Sequence, residues 1–176
     1  MQAWTCKTCG QPHNEVPTSY GFEAPWPWYS TPEAERHPAT LDSDRCTMRD
    51  EDFFVRGCLE IPVIGREDPL IWGVWVSLSR LTFERERMLA EKIERINEPS
   101  YFGWLSSRIQ VYPDTLLLKT NVHSRGVGQR PYIELEPTDH PLSIDQREGI
   151  AVDRWIEIAE RMEHRWLHPH WDSTGY

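Results

Sequence analysis

No stretch of the sequence approaches the roughly 20 consecutive apolar residues that a membrane-spanning helix needs, which argues against a helical membrane protein. A secretory leader is not expected either. Trp4, Cys6 and Cys9 stand where an export signal would place a basic start and an apolar stretch, so the chain is expected in the cytoplasm with its thiols reduced. Cysteine is scarce, with four in 176 residues, and disulfides are the weaker reading for them. Positive charge is short as well: 19 Lys and Arg against 28 Asp and Glu give a net charge of -9. That balance repels a phosphate backbone and makes DNA and RNA poor partners. Absent too are a Gly-x-Ser-x-Gly elbow, a phosphate loop and a dinucleotide fingerprint, which removes several large enzyme classes. There is no internal repeat and no low-complexity tract.

What remains suits one globular domain. The length supports a single sizeable core, and 27% charged with 39% hydrophobic residues is an ordinary soluble composition. Nine tryptophans are best explained as core residues, although an acidic, tryptophan-bearing surface would also suit a basic protein partner. The organisation expected is a metal-binding turn and proline-rich loop over 1–50, an α+β core over 51–166 and a flexible tail over 167–176.

Between Pro12 and Pro38 the density of proline and turn formers predicts little regular structure. Pro25, Pro27 and Pro32 favour an extended loop carrying Trp26, Trp28 and Tyr29 across the domain. From Phe53, "FFVRGCLEIPV" alternates, with Phe53, Val55, Gly57, Leu59 and Ile61 on one face. "LIWGVWVSLS" is apolar on both alternations, as a central strand is. In "RLTFERERMLAEKIERI" the period becomes helical, with Leu81, Met88, Leu89, Ile93 and Ile96 on one stripe, ended by Asn97 and Pro99. Two more strands are expected in "DTLLLKTNVHS" and "RPYIELE". A helix should start at Asp139 or His140 with Pro141 in its first turn, and a last helix should align Trp155, Ile158, Ala159, Met162 and Trp166. Strands grouped rather than alternating with helices give an α+β fold, a mostly antiparallel sheet with packed helices.

The strongest chemical signal is "WTCKTCGQPH". Two thiolates spaced two residues apart can grip one ion, and Gly10 allows the sharp turn between backbone and sulfur that such a grip requires. A thioredoxin-type redox pair would need a strand before it and a helix after it, and neither flank fits. The expected ion is zinc, one per chain and structural, held by Cys6, Cys9, His13 and Cys46. Other candidates for the third and fourth ligands are His37, Cys58, His123 and His140, and the alternative for Cys46 and Cys58 is a small buried hydrophobe. Without Cys46 the shell would be open to water, and Asp42 or Asp44 could act as base in a metal-dependent hydrolase. A third reading makes Cys6 and Cys9 a thiol redox sensor. The neighbours Asp139 and His140 are read as helix-capping and structural rather than catalytic. The histidines of "HRWLHPHW", His164, His168 and His170, are read as part of a fraying tail in preference to a second metal site.

In order along the chain, "WTCKTCGQPH", "LDSDRC", "FFVRGCLEIPV", "WGVWVSLS", "YFGWLSSRI" and "RPYIELEPTDHPLSIDQREGI" resemble the bacterial family catalogued as domain of unknown function 2199. The resemblance runs from Trp4 to about His164. It implies a bacterial cytoplasmic protein whose N-terminal cysteines look like metal ligands, and it brings no catalytic residue with it. The leading expectation is therefore a zinc-stabilised acidic binding or regulatory module.

Overall fold

The computed structural model describes residues 3–164, so the expected tail and its histidines His168 and His170 lie outside the described residues. In chain order the strands are β1 (Trp4–Thr5), β2 (Pro12–His13), β3 (Ser19–Gly21), β4 (Ala39–Leu41), β5 (Arg45–Met48), β6 (Asp52–Ile61), β7 (Leu70–Leu78), β8 (Tyr101–Leu105), β9 (Lys119–His123) and β10 (Tyr132–Leu135). The helices are α1 (Trp26–Ser30), α2 (Glu33–Arg36), α3 (Arg80–Leu89), α4 (Pro141–Glu148) and α5 (Val152–Glu163), with a 3-10 turn at Ile93–Asn97. This is the expected α+β class with a mostly antiparallel sheet.

The long strands β6 and β7 organise the sheet because their apolar residues recur on both sides. They pair antiparallel along their whole length, from Phe53 opposite Leu78 to Ile61 opposite Leu70. Strand β7 then pairs with β8, β8 with β9, β9 with β10, and β10 returns to β6, so five strands close a ring. Each long strand shares its outer edge between two short partners: β7 carries β8 and, in parallel, β3, while β6 carries β5 and, in parallel, β10. The ring is tight. Gly57 and Gly103 are buried, and a methyl group on Gly57 would come within 2.5 Å of the Ile133 side chain.

The predicted alternation of β6 is seen in its burial, with Phe53, Val55, Leu59 and Ile61 in the main core beside Val74, Val76, Val122 and Ile133. Helices α3, α4 and α5 add Phe83, Leu142, Trp155 and Ile158 to that same core. Burying each large apolar side chain contributes roughly 1.5–3 kcal/mol, which is what fixes these helices to the sheet. The opposite face of β6 and β7 holds a second, smaller cluster of Cys46, Met48, Phe54 and Trp75.

Three elements depart from the sequence reading. The proline-rich loop contains α1 and α2, because Pro25 and Pro32 are N-caps and Pro27 stands in the first turn, where a missing N–H leaves no hydrogen bond unmade. Strand β8 has no apolar alternation beyond Tyr101, Gly103 and Leu105 and is carried by its two neighbours. The stripe expected to bury α3 faces outward instead: Leu81, Met88, Ile93 and Ile96 are exposed. The helix is held by Phe83 and by Glu86, whose carboxylate meets Arg45 at 3.0 Å and Arg95 at 3.6 Å.

Candidate metal centre

The first half of the site is built by the CxxCG turn. Strands β1 and β2 form an antiparallel hairpin with Trp4 opposite His13. Within it the Gly10 N–H donates to the Cys6 carbonyl at 2.8 Å, and the Cys6 N–H donates to the Gln11 carbonyl at 3.0 Å. Gly10 has φ of +69°, a left-handed conformation that side-chain-bearing residues rarely adopt. The Thr8 N–H donates to Cys6 Sγ at 3.3 Å, which fixes the sulfur's place in the turn. Trp4 stacks on the His13 ring with centroids 4.6 Å apart and planes 14° from parallel, which sets the imidazole's orientation. His13 Nε2 lies 3.7 Å from Cys9 Sγ.

The second half arrives from the other end of the chain. Helix α5 is tied to the N-terminal segment at successive turns. Trp155 Nε1 donates to the Pro17 carbonyl at 2.9 Å, and the buried Glu160 carboxylate accepts the Lys7 N–H at 2.6 Å. One turn beyond Glu160, His164 caps the helix, its N–H reaching the Glu160 carbonyl at 3.2 Å. Its ring stands edge-on to His13 at 6.2 Å. Cys6, Cys9, His13 and His164 thus present two sulfurs and two ring nitrogens within 4.8 Å of one another.

That donor set fits a tetrahedral ion. Bonds of about 2.3 Å to sulfur and about 2.0 Å to nitrogen place neighbouring donors roughly 3.3–3.8 Å apart. The Cys9–His13 separation already falls in that range, and the widest pairs need only a small contraction. The group can hold a metal ion.

Of the residues proposed from sequence, Cys6, Cys9 and His13 are brought together, and Cys46 is placed elsewhere. Cys46 sits in β5, fully buried in the second cluster against Met48, Phe54 and Trp75. Burial, with the nearby Asp52 and Asp42 carboxylates, pushes its thiol up to about 12. The position expected for it in the group is taken by His164. Cys58 is half-buried in β6, and burial raises its thiol against the opposing influence of Arg125 and Arg130. His123 pairs with Glu134 at 2.8 Å, and the ring of His140 accepts the Leu142 N–H at the start of α4. Asp42 accepts the N–H groups of Asp44 and Arg45, both at 2.7 Å, while Asp44 holds Arg130 at 2.7 Å. Asp42 is thus engaged in its own loop and Asp44 with the segment before β10, and both lie outside the Cys–Cys–His–His group.

The sequence reading put His164 in a fraying tail, whereas the structure buries it at the C-cap of α5, within the donor group. The sequence signal available for it was its spacing from Glu160, which puts both on one helix face.

Fold and site together define a small α+β domain with a Cys–Cys–His–His group that joins its first hairpin to its last helix and can hold a metal ion. The chain belongs to the bacterial family described as "Uncharacterized protein conserved in bacteria (DUF2199)", whose model matches residues 5–150. Cys6, Cys9 and His13 lie inside the matched span and His164 beyond it. No curated protein and no solved structure matches the chain. No helix among the described residues is long and apolar enough to cross a membrane.

Proposed function

We propose that Cys6, Cys9, His13 and His164 bind one zinc ion in a closed structural site that staples the N-terminal hairpin to the end of α5, and that the chain is a zinc-stabilised binding or regulatory module. The observation that carries this reading is the convergence of four protein donors, two soft and two borderline, within 4.8 Å. Four protein ligands leave a tetrahedral zinc no position for a substrate or an activated water, so the ion's contribution is to folding rather than to chemistry. Recognition is then the role left to the surface. The net charge of -9 favours a basic protein as the partner.

X-ray absorption at the zinc edge of protein purified without chelator tests the site. Two sulfur and two nitrogen scatterers are expected at about 2.3 and 2.0 Å. Outer-shell scattering from one imidazole ring instead of two, with a light-atom scatterer still at about 2.0 Å, would instead support the open-site hydrolase reading. Absence of metal combined with reversible oxidation of Cys6 and Cys9 would support the redox reading.

A further inference from the structure

The four cysteines are not equally open to solvent. Cys9 is exposed, Cys58 is half-buried, and Cys6 and Cys46 are fully buried. Burial raises the thiols of Cys46 and Cys58 above their ordinary value and keeps both protonated at neutral pH. A zinc-bound thiol is instead deprotonated outright, and the thiolate is the form that oxidants attack. A zinc ion held by the four donors therefore keeps a thiolate at the surface, at Cys9, and nowhere else that solvent freely reaches.

A second sulfur stands beside it. Cys6 and Cys9 share the turn closed by the Gly10 N–H and the Cys6 carbonyl, and their sulfurs lie within 4.8 Å of each other. Side-chain rotation within that turn closes the gap to a sulfur–sulfur bond of about 2.05 Å. The other two cysteines have no such neighbour in each other, because Cys46 lies opposite Phe54, which leaves Cys58 about 13 Å farther along β6. The group is also open on one side: Cys9 is exposed and His13 half-buried, whereas Cys6 and His164 are buried. Without the two sulfurs only His13 and His164 remain, two donors where a tetrahedral ion needs four.

We infer that the Cys–Cys–His–His group is a peroxide-sensitive clasp: hydrogen peroxide converts Cys6 and Cys9 to a disulfide, the zinc leaves, and the hairpin is uncoupled from the end of α5. The inference rests on the zinc reading above. The exposed Cys9 thiolate attacks one peroxide oxygen, the O–O bond breaks, and Cys9 becomes a sulfenic acid while hydroxide departs. The Cys6 thiolate then attacks the Cys9 sulfur, the S–O bond breaks, and a second hydroxide departs with formation of the disulfide. Two protons from solvent turn both hydroxides into water, the two sulfurs have given two electrons to the peroxide, and the zinc is released unchanged as the divalent ion. Between hairpin and helix the Lys7 N–H to Glu160 hydrogen bond is left. A dithiol reductant, itself oxidised to a disulfide, restores both thiolates and with them the site.

The test adds hydrogen peroxide in steps to the reduced, zinc-loaded full chain. A chromogenic zinc indicator too weak to strip the reduced protein follows released metal, and alkylation with peptide mass spectrometry maps the thiols. One zinc per chain should be released as Cys6 and Cys9 become a disulfide, before Cys58 or Cys46 is oxidised, and dithiothreitol with added zinc should restore the ion. Cys9→His keeps four donors and removes the disulfide, so it should hold its zinc over the period in which the parent loses it. Cys58→Ala should release zinc as the parent does. Should the histidine variant not load zinc, the order of oxidation in the parent decides. A reduced parent that carries no zinc overturns the zinc reading and this inference with it. A zinc-loaded parent that keeps its ion until Cys58 has reacted, or loses it without a disulfide between Cys6 and Cys9, overturns this inference and leaves the zinc reading standing.

Discussion

Replacing His164 with alanine removes one of four converging donors and leaves Cys6, Cys9 and His13 on the hairpin with nothing of the group on α5. The direct link between hairpin and helix that survives is the 2.6 Å hydrogen bond from Lys7 N–H to Glu160. An ion that binds only the folded chain stabilises it by about 4 kcal/mol when free metal stands about 1,000-fold above the dissociation constant. For a domain of this size each kcal/mol moves the melting temperature by about 2–4 °C, so chelation should lower it by roughly 8–16 °C. If losing one ligand weakens the ion about 100-fold, the His164→Ala variant forfeits about 2.7 kcal/mol at fixed free zinc, or roughly 5–11 °C. Cys46→Ala is the matched control. It takes one sulfur from the packing of Met48, Phe54 and Trp75, at a cost on the order of 1 kcal/mol, and should keep a full complement of metal. Metal content by mass spectrometry and melting in zinc-buffered and chelator-containing solutions read out both variants. Full metal content in His164→Ala together with depleted metal in Cys46→Ala would refute the assignment of the fourth donor.

Gly103→Ala should lower the melting temperature by roughly 3–10 °C, since its methyl group would come within 2.7 Å of the Ser77 carbonyl inside the ring, and calorimetry of the purified variant checks this. The double substitution Leu81→Lys and Met88→Lys should leave the melting temperature within about 2 °C, because both side chains face solvent; a large loss would place that face of α3 in a buried contact. The carboxyl of Glu98 is held down to about 2 by hydrogen bonds from Arg85 and Tyr101. A lowered carboxyl stabilises the fold above its unfolded value near 4.3 and loses that contribution as pH falls towards 2. The melting-temperature difference between the parent and Glu98→Gln should therefore be constant above about pH 5 and vanish through that window. A difference that persists at pH 2 would remove the carboxylate from the explanation.

What could be read in the sequence follows the range over which each signal acts. Alternation in β6 and β7 depends on neighbours two residues apart, and the burial of Phe53, Val55, Leu59 and Ile61 matches it. The start of α4 depends on residues next to Pro141, and of the two caps expected, Asp139 and His140, it is His140 that fills the position. The CxxCG turn is likewise local, which is why Cys6, Cys9 and His13 are found together. The misreadings come from longer range. The stripe of α3 has a perfectly good helical period but the sheet offers it no surface, because Glu86 and its two arginines occupy the inward side. Strand β8 is a strand because β7 and β9 flank it, and nothing within Tyr101–Leu105 states that. Cys46 was chosen for its position near the end of a loop, and the alternation of β5 turns its side chain into an apolar cluster. His164 is separated from His13 by almost the whole fold, and only the closing of the ring and the docking of α5 bring them together.

The meeting of the first hairpin with the end of α5 has a mechanical meaning. With an ion in place, residues 6 to 164 become a loop closed by metal–ligand bonds, and tension applied at the ends of the described chain would be borne by those bonds before it reached any strand of the ring. In an optical trap the metal-loaded chain would lengthen only after the ion had let go. The chelated chain would instead yield first by peeling α5 from the core, with Trp155 the last of its large side chains to leave.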